Sequence, residues 1–304
     1  MPVRLGISPI GWSNDDLPEL GGDIPLDRCL AEARAAGYEG IELGHKFPRD
    51  PPVLRQILER FGLALISGWY SGRLLERSVR AEIAAIEPHS SLLVAMGCTV
   101  LVYAETSGSI AGDRRHPLSG RPRLGVGDWY DFGARLTGLA GHMTACGIGL
   151  VYHHHMGTVI ESEAEIDRLM AVTSEKVGLL VDTGHAAYAG VDPAALVRRH
   201  GDRIKHVHCK DVRGDVLARV RAGDTSFLDA VLGGVFTVPG DGCIDFASLL
   251  AELAAVDYNG WLVVEAEQDP KKAPPLAYAR LGFAQLSAAA ARAGLAREER
   301  LRSA

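Results

Sequence analysis

Three consecutive histidines, His153, His154 and His155, close the run IGLVYHHH just before MGT. On an extended chain successive side chains alternate faces, so His153 and His155 share one face and His154 takes the other. Three more apolar runs end on related chemistry: VGLLVD on Asp182, with His185 following; IKHVH on His208, with Lys210 two residues on; and WLVVE on Glu265, with Glu267 two residues on. His206 would share the face of His208, one layer lower. One group from each run, His153, Asp182, His208 and Glu265, makes a set of two imidazoles and two carboxylates. Such a mixed N/O set suits a borderline divalent ion such as Mn²⁺, Co²⁺, Fe²⁺ or Zn²⁺. It contains no thiolate, which argues against a closed structural zinc site. Each group also has a plainer use. Asp182 before TGH is a good helix N-cap, His153 could bond a neighbouring loop, and His200 in VRRHGD suits a helix C-terminus. His154 is expected to face surrounding helices. Glu265 has the weakest plain reading, because a carboxylate aimed into a barrel mouth needs a partner.

These residues must be positioned by the runs that precede them. VRLGIS (3–8), GIEL (40–43), LALISGW (63–69), TVLVYAE (99–105), IGLVYHHH (148–155), VGLLVDTGH (177–185), RIKHVHCKD (203–211) and GWLVVEAEQ (260–268) are short, β-branched or Leu-rich, and lack clean polar alternation. Strands covered on both faces of a parallel sheet read this way. Segments of helical period lie between them, LDRCLAEARAAG and PVLRQILERFG among them. About eight strand–helix units without a dinucleotide-type glycine fingerprint predict a single (β/α)₈ barrel over residues 1–304, with a terminal helix at about 273–297 and a frayed tail after it. Barrels build their sites at the carboxyl ends of the strands, which adds Glu42, Trp69 and Glu105 to the candidates. The loop from Thr106 to Asp128, carrying Arg114, Arg115 and His116, is long for a barrel connection. It is expected to cover the substrate, its arginines reaching hydroxyls or a neighbouring subunit; a surface insertion is the plainer reading.

Composition bounds the partners. The chain has 304 residues, 47% hydrophobic and 23% charged, an ordinary globular balance. A net charge of −6 argues against nucleic acid, whose binders usually carry a basic face. Five scattered cysteines without a CxxC pair suggest neither a zinc ribbon nor a disulfide framework and fit a reducing cytosol. The N-terminus lacks a signal-peptide h-region, and the longest apolar run, LLVAMGCTVLVYA, is too short to span a bilayer. A soluble cytoplasmic protein is expected, with no membrane or nucleic-acid partner and with homo-oligomerisation left open.

The patterns VDTGH, HVHCKD and GWLVVEAEQ resemble the xylose isomerase-like barrels, which hold one or more divalent metals at the carboxyl ends of late strands. SPIGWSNDD (8–16), VYHHHMGT (151–158), EIDRLM (165–170), DTGHA (182–186), RIKHVHCKD (203–211), FTVPGDGCIDF (236–246) and GWLVVEAEQDP (260–270) together resemble the inosose dehydratase family, from about residue 6 to about residue 282. The resemblance implies dehydration of a small polyol-ketone, 2-keto-myo-inositol (scyllo-inosose), to 3D-trihydroxycyclohexane-1,2-dione in inositol catabolism. It also implies dependence on Mn²⁺ or Co²⁺ and a requirement for glutathione, for which the sequence offers no nameable site. In the related sugar epimerases the metal is held by Glu, Asp, His and Glu, and the first and last Glu flank the substrate as an acid/base pair. Asp182, His208 and Glu265 match the last three, while His153 stands where the first Glu would be. The two-carboxylate device is therefore incomplete, which favours a lyase over the nearest rival, a keto-sugar epimerase or isomerase. By the same comparison His185 and Arg213 fall near substrate oxygens, and Glu42 matches a strand-2 glutamate.

Elimination of water β to a ketone needs a polarised carbonyl, removal of the α-proton and protonation of the departing hydroxide. A divalent metal serves the first need. Glu265 or Glu267 is the expected base and His155 or Lys210 the expected acid. Two other classes share the barrel. A repair nuclease of the endonuclease IV type would need more metal ligands and a basic face, and a catalytically inert binding barrel need not keep an open metal position.

Overall fold

The apolar runs become eight parallel strands hydrogen-bonded in a closed ring. They are β1 (Arg4–Ile7), β2 (Gly40–Leu43), β3 (Ala64–Gly72), β4 (Val100–Glu105), β5 (Gly149–His153), β6 (Val177–Asp182), β7 (Ile204–Cys209) and β8 (Trp261–Val264). β1 pairs with both β2 and β8, which closes the barrel. Every residue of β4 and β6 is buried, so neither strand had a solvent face to mark with polar residues. The computed structural model describes residues 2–295, and the tail expected to fray lies outside the described residues.

Helices α1 (Leu26–Ala36), α2 (Pro51–Phe61), α3 (Val79–Ala95), α4 (Asp128–Ala145), α5 (Glu163–Val172), α6 (Thr183–Ala189), α7 (Pro193–His200), α8 (Gly214–Ala222), α9 (Phe227–Leu232), α10 (Phe246–Ala255) and α11 (Pro275–Arg292) fill the connections. Their ends are written locally. α2 opens with Asp50 accepting from Val53 N and closes on Gly62 at φ 64°. α5 opens with a capping box between Ser162 and Glu165. No helix among the described residues is long and apolar enough to cross a membrane.

Three details bear on the site. β3 runs on to Gly72 because Trp69 to Gly72 pair with Val102 to Glu105 of β4, so Trp69 lies within the strand. β5 stops at His153 and β8 at Val264, which leaves His155, Glu265 and Glu267 in the segments that follow. Between β7 and β8 the chain makes an antiparallel ribbon, Asp211–Val212 against Phe236–Thr237, with α8 and α9 between its arms. The Asp211 carboxylate accepts from the backbone N–H groups of Gly240, Gly242 and Ile244 and so ties down the PGDGCID loop. Val212, Phe227, Phe236 and Tyr188 form an apolar cluster of their own beside the main core.

Candidate active site

A cavity of about 300 Å³ opens at the carboxyl ends of the strands, with Glu42, Trp69, His153, His155, His208, Glu265 and Glu267 in its wall. His153, Asp182, His208 and Glu265 converge there from β5, β6, β7 and the end of β8. Each offers a donor atom, and these atoms lie within 4.8 Å of one another.

The hydrogen-bond partners assign the ring tautomers. His153 Nδ1 faces the His154 carbonyl at 2.6 Å and must donate to it, leaving Nε2 as a lone pair 3.4 Å from Asp182 Oδ2. His208 turns Nε2 to Glu42 Oε1 at 3.1 Å, and its Nδ1 lies 3.3 Å from Glu265 Oε2 and 3.5 Å from Asp182 Oδ2. Asp182 uses its two oxygens differently: Oδ1 caps α6 by accepting from His185 N at 2.9 Å, while Oδ2 has no hydrogen-bond partner. His208 Nδ1 also lacks one. The His153 Nε2 lone pair and the Asp182 carboxylate thus face each other in a buried setting, an arrangement that positive charge resolves. Burial opposes charge on His208, yet Glu265 and Glu42 hold its pKa well above the ordinary value. The donor set could hold a divalent ion, and Glu42 stands behind His208 as a carboxylate does behind a ligating histidine in such sites. Glu42 is itself held by Ser67 Oγ at 2.5 Å and by His206 Nε2 at 2.9 Å.

A second cluster adjoins the first. Lys210 Nζ lies 2.7 Å from Glu265 Oε1 and 2.8 Å from Glu267 Oε1. Glu267 Oε2 has no partner, and burial, opposed by Lys210 and reinforced by Glu265, brings the Glu267 carboxyl up to about 7. His155 Nδ1 donates to the Met156 carbonyl at 2.8 Å, so its Nε2 is an acceptor. Burial, with His153 and Lys210, pushes the His155 pKa down to about 3. With Nδ1 committed to the Met156 carbonyl, the ring stands among the cavity-lining groups with Nε2 as its acceptor, unlike the arrangement expected of an acid. His185 packs against it with ring centroids 3.9 Å apart, accepts from Met156 N, and stands behind the cavity wall rather than in it. Lys210, the other expected acid, is fully buried among carboxylates and likewise does not line the cavity.

Two residues expected to contact substrate make other bonds in this structure and do not line the cavity. Glu105 turns away from the cavity, accepting from Leu74 N at 2.7 Å, Tyr103 Oη at 2.9 Å and Ser107 N at 3.1 Å. Arg213 spends its guanidinium on the Gly234 and Phe236 carbonyls, Thr237 and Asp241. In the long loop, Thr106, Ser109, Ala111 and Gly112 border the cavity, but Arg114 pairs with Asp229, and Arg115 and His116 with Asp113. The loop covers the site with backbone and small side chains, not with its arginines. His154 is buried against β6, its Nε2 accepting from Asp182 N, and His200 pairs with Asp167 at 2.7 Å. Sequence reasoning missed Asp15 and Asp16, which line the cavity after β1. The signal was present in SNDD, where Asn14 Oδ1 accepts from Asp16 N and Leu17 N and fixes the turn.

Comparison with known proteins gives a consistent set of likenesses. Residues 30–288 match the model of the xylose isomerase-like TIM barrel family. The chain is 56% identical to the rhizopine catabolism protein MocC of Rhizobium meliloti, over 97% of this chain and 90% of that protein. It is 46% identical to an inosose dehydratase of Geobacillus thermodenitrificans (91% of this chain, 94% of that protein) and 42% identical to one of Lacticaseibacillus casei (92% and 94%). Among solved structures, an L-ribulose 3-epimerase superposes with a TM-score of 0.70 at 19% identity, covering 99% of this chain and 98% of that one. A probable 3-DHS dehydratase of Bacillus anthracis superposes with a TM-score of 0.68 at 13% identity, covering 94% and 99%. At such identities the two structures share the fold alone.

Proposed function

The chain belongs to the xylose isomerase-like TIM barrel family and, within it, to the inosose dehydratases; from that premise we propose that it removes water from 2-keto-myo-inositol, yielding 3D-trihydroxycyclohexane-1,2-dione. It is an enzyme of the hydro-lyase class. The observation that carries the substrate reading is the four-donor group set directly beside a cavity-lining carboxylate, Glu267, whose Oε2 has no partner.

His153, Asp182, His208 and Glu265 would hold a divalent ion, Mn²⁺ or Co²⁺ being the ones to test, and the ion supplies Lewis-acid polarisation of the ketone and its neighbouring hydroxyl. The chain's residues do the rest. Glu267 Oε2 takes the α-proton, while Lys210 holds Oε1 and fixes the carboxylate plane. Protonated Glu267 then returns the proton to the departing hydroxyl, so that one water leaves and the carboxylate is regenerated. His155 accepts a hydrogen bond from a substrate hydroxyl, and Trp69, 40% exposed, offers a ring to the substrate's C–H face. The cavity wall on the β5 side presents His153 and His155 where an epimerase would need its second carboxylate, which supports the lyase over the epimerase.

The test is an assay of metal-loaded protein on a panel of keto-inositols and ketoses, with and without glutathione, following the absorbance of the dione. Dione from 2-keto-myo-inositol is expected. Epimerised ketose without dione would overturn the reading.

A further inference from the structure

Lys210 follows β7 directly, and its side chain is fully buried. Besides its contacts with Glu265 and Glu267, its Nζ lies 3.2 Å from His185 Nε2 and 3.5 Å from Asp182 Oδ2. Three carboxylates and an imidazole nitrogen are the donors that hold a divalent cation. His155, His185 and Glu267 in fact offer donor atoms within 4.8 Å of one another, beside the His153–Asp182–His208–Glu265 group. The space a second metal ion would need is thus surrounded by ligands and filled by an ammonium.

The fold is built to keep it there. Burying an ammonium is costly unless several partners compensate it. A Cβ on Gly184 would stand 2.5 Å from Lys210 Cγ and 2.6 Å from Cδ, so the glycine of DTGH leaves the lysine stem its path. Thr183 Oγ1 accepts from Lys210 N at 2.9 Å and donates to Lys210 O at 2.6 Å, clamping the backbone from both sides. The Phe236 ring lies 4.7 Å from Nζ.

We propose that the Lys210 ammonium is the second cation of this site, taking the place of a second divalent ion and limiting the protein to one. This rests on the reading that the His153–Asp182–His208–Glu265 group holds a divalent ion.

The test counts metal. Wild type and variants of the full chain, purified in Mn²⁺ and then stripped with chelator, are titrated with MnCl₂ by calorimetry. Bound manganese is counted by elemental mass spectrometry after gel filtration. Wild type and Lys210→Arg are expected to take one equivalent. Lys210→Ala and Lys210→Ser, which empty the space, are expected to take two; Lys210→Met, which keeps it filled, is expected to take one. The double variant Lys210→Ala/Glu267→Gln should return to one. One equivalent in both Lys210→Ala and Lys210→Ser, or two in wild type, overturns the proposal. No manganese in wild type overturns the metal reading and this inference with it.

Discussion

Glu42 Oε1 stands 3.1 Å from His208 Nε2, on the side of the ring opposite the Nδ1 that faces Asp182 and Glu265. A carboxylate there holds the proton on Nε2 and leaves Nδ1 free to act as a ligand. Glu42→Gln can present an amide N–H instead and so favours the wrong tautomer. The expected loss in Mn²⁺ affinity is about 10- to 100-fold, read by titration calorimetry. An unchanged affinity would show that Glu42 does not orient the ring.

Glu265 and Glu267 should separate. Glu265→Gln removes a donor of the four-residue group and is expected to lose manganese and dione formation together. Glu267→Gln should bind manganese normally while kcat falls about 10²- to 10⁴-fold, the usual worth of a positioned acid/base. Equal loss of metal in both variants would end the division of roles.

Metal removal should destabilise the fold. Without the ion, Asp182 Oδ2 and His208 Nδ1 are left buried without a hydrogen-bond partner, held only by longer ion-pair contacts. Ligand linkage gives about 2.7 kcal/mol at a hundredfold excess over Kd. Thermal melts with and without chelator read this directly, and coincident melts would count against a cation at these donors.

Glu105 is a structural anchor, so Glu105→Ala should act on stability and not on substrate affinity. It leaves the N–H groups of Leu74 and Ser107 without their acceptor, at about 1–3 kcal/mol for each left unsatisfied. The check is a lowered Tm with KM unchanged. A raised KM in a variant of normal Tm would restore Glu105 to the substrate.

Trp69→Ala should do the reverse. The indole meets His153 and His155 edge-on, at centroid distances of 5.3 and 5.6 Å, with 40% of the residue exposed. Removing it should raise KM by about tenfold, the equivalent of about 1.4 kcal/mol of lost contact, and leave Tm nearly unchanged. Steady-state kinetics beside a melt decide it.

The sequence by itself determined the barrel and the donor types. Period, strand composition and helix caps are local, and β4 and β6 could be read as doubly buried from their own residues. Asp182 and His208, which end or nearly end regular strands, were legible for the same reason: strand period fixes a side chain's face. His155, Glu265 and Glu267 lie past their strand ends, where no period applies, and their facing was settled by turns and partners. Only the tertiary structure decided what stands across the ring. Glu42 reaches His208 over 166 residues of chain, Lys210 threads past Gly184 into a nest of carboxylates, and Glu105 turns to the Leu74 and Ser107 amides. Each outcome depends on which donor meets which acceptor when distant segments close, and tautomer, charge balance and cation place follow from those meetings, not from any run of neighbours.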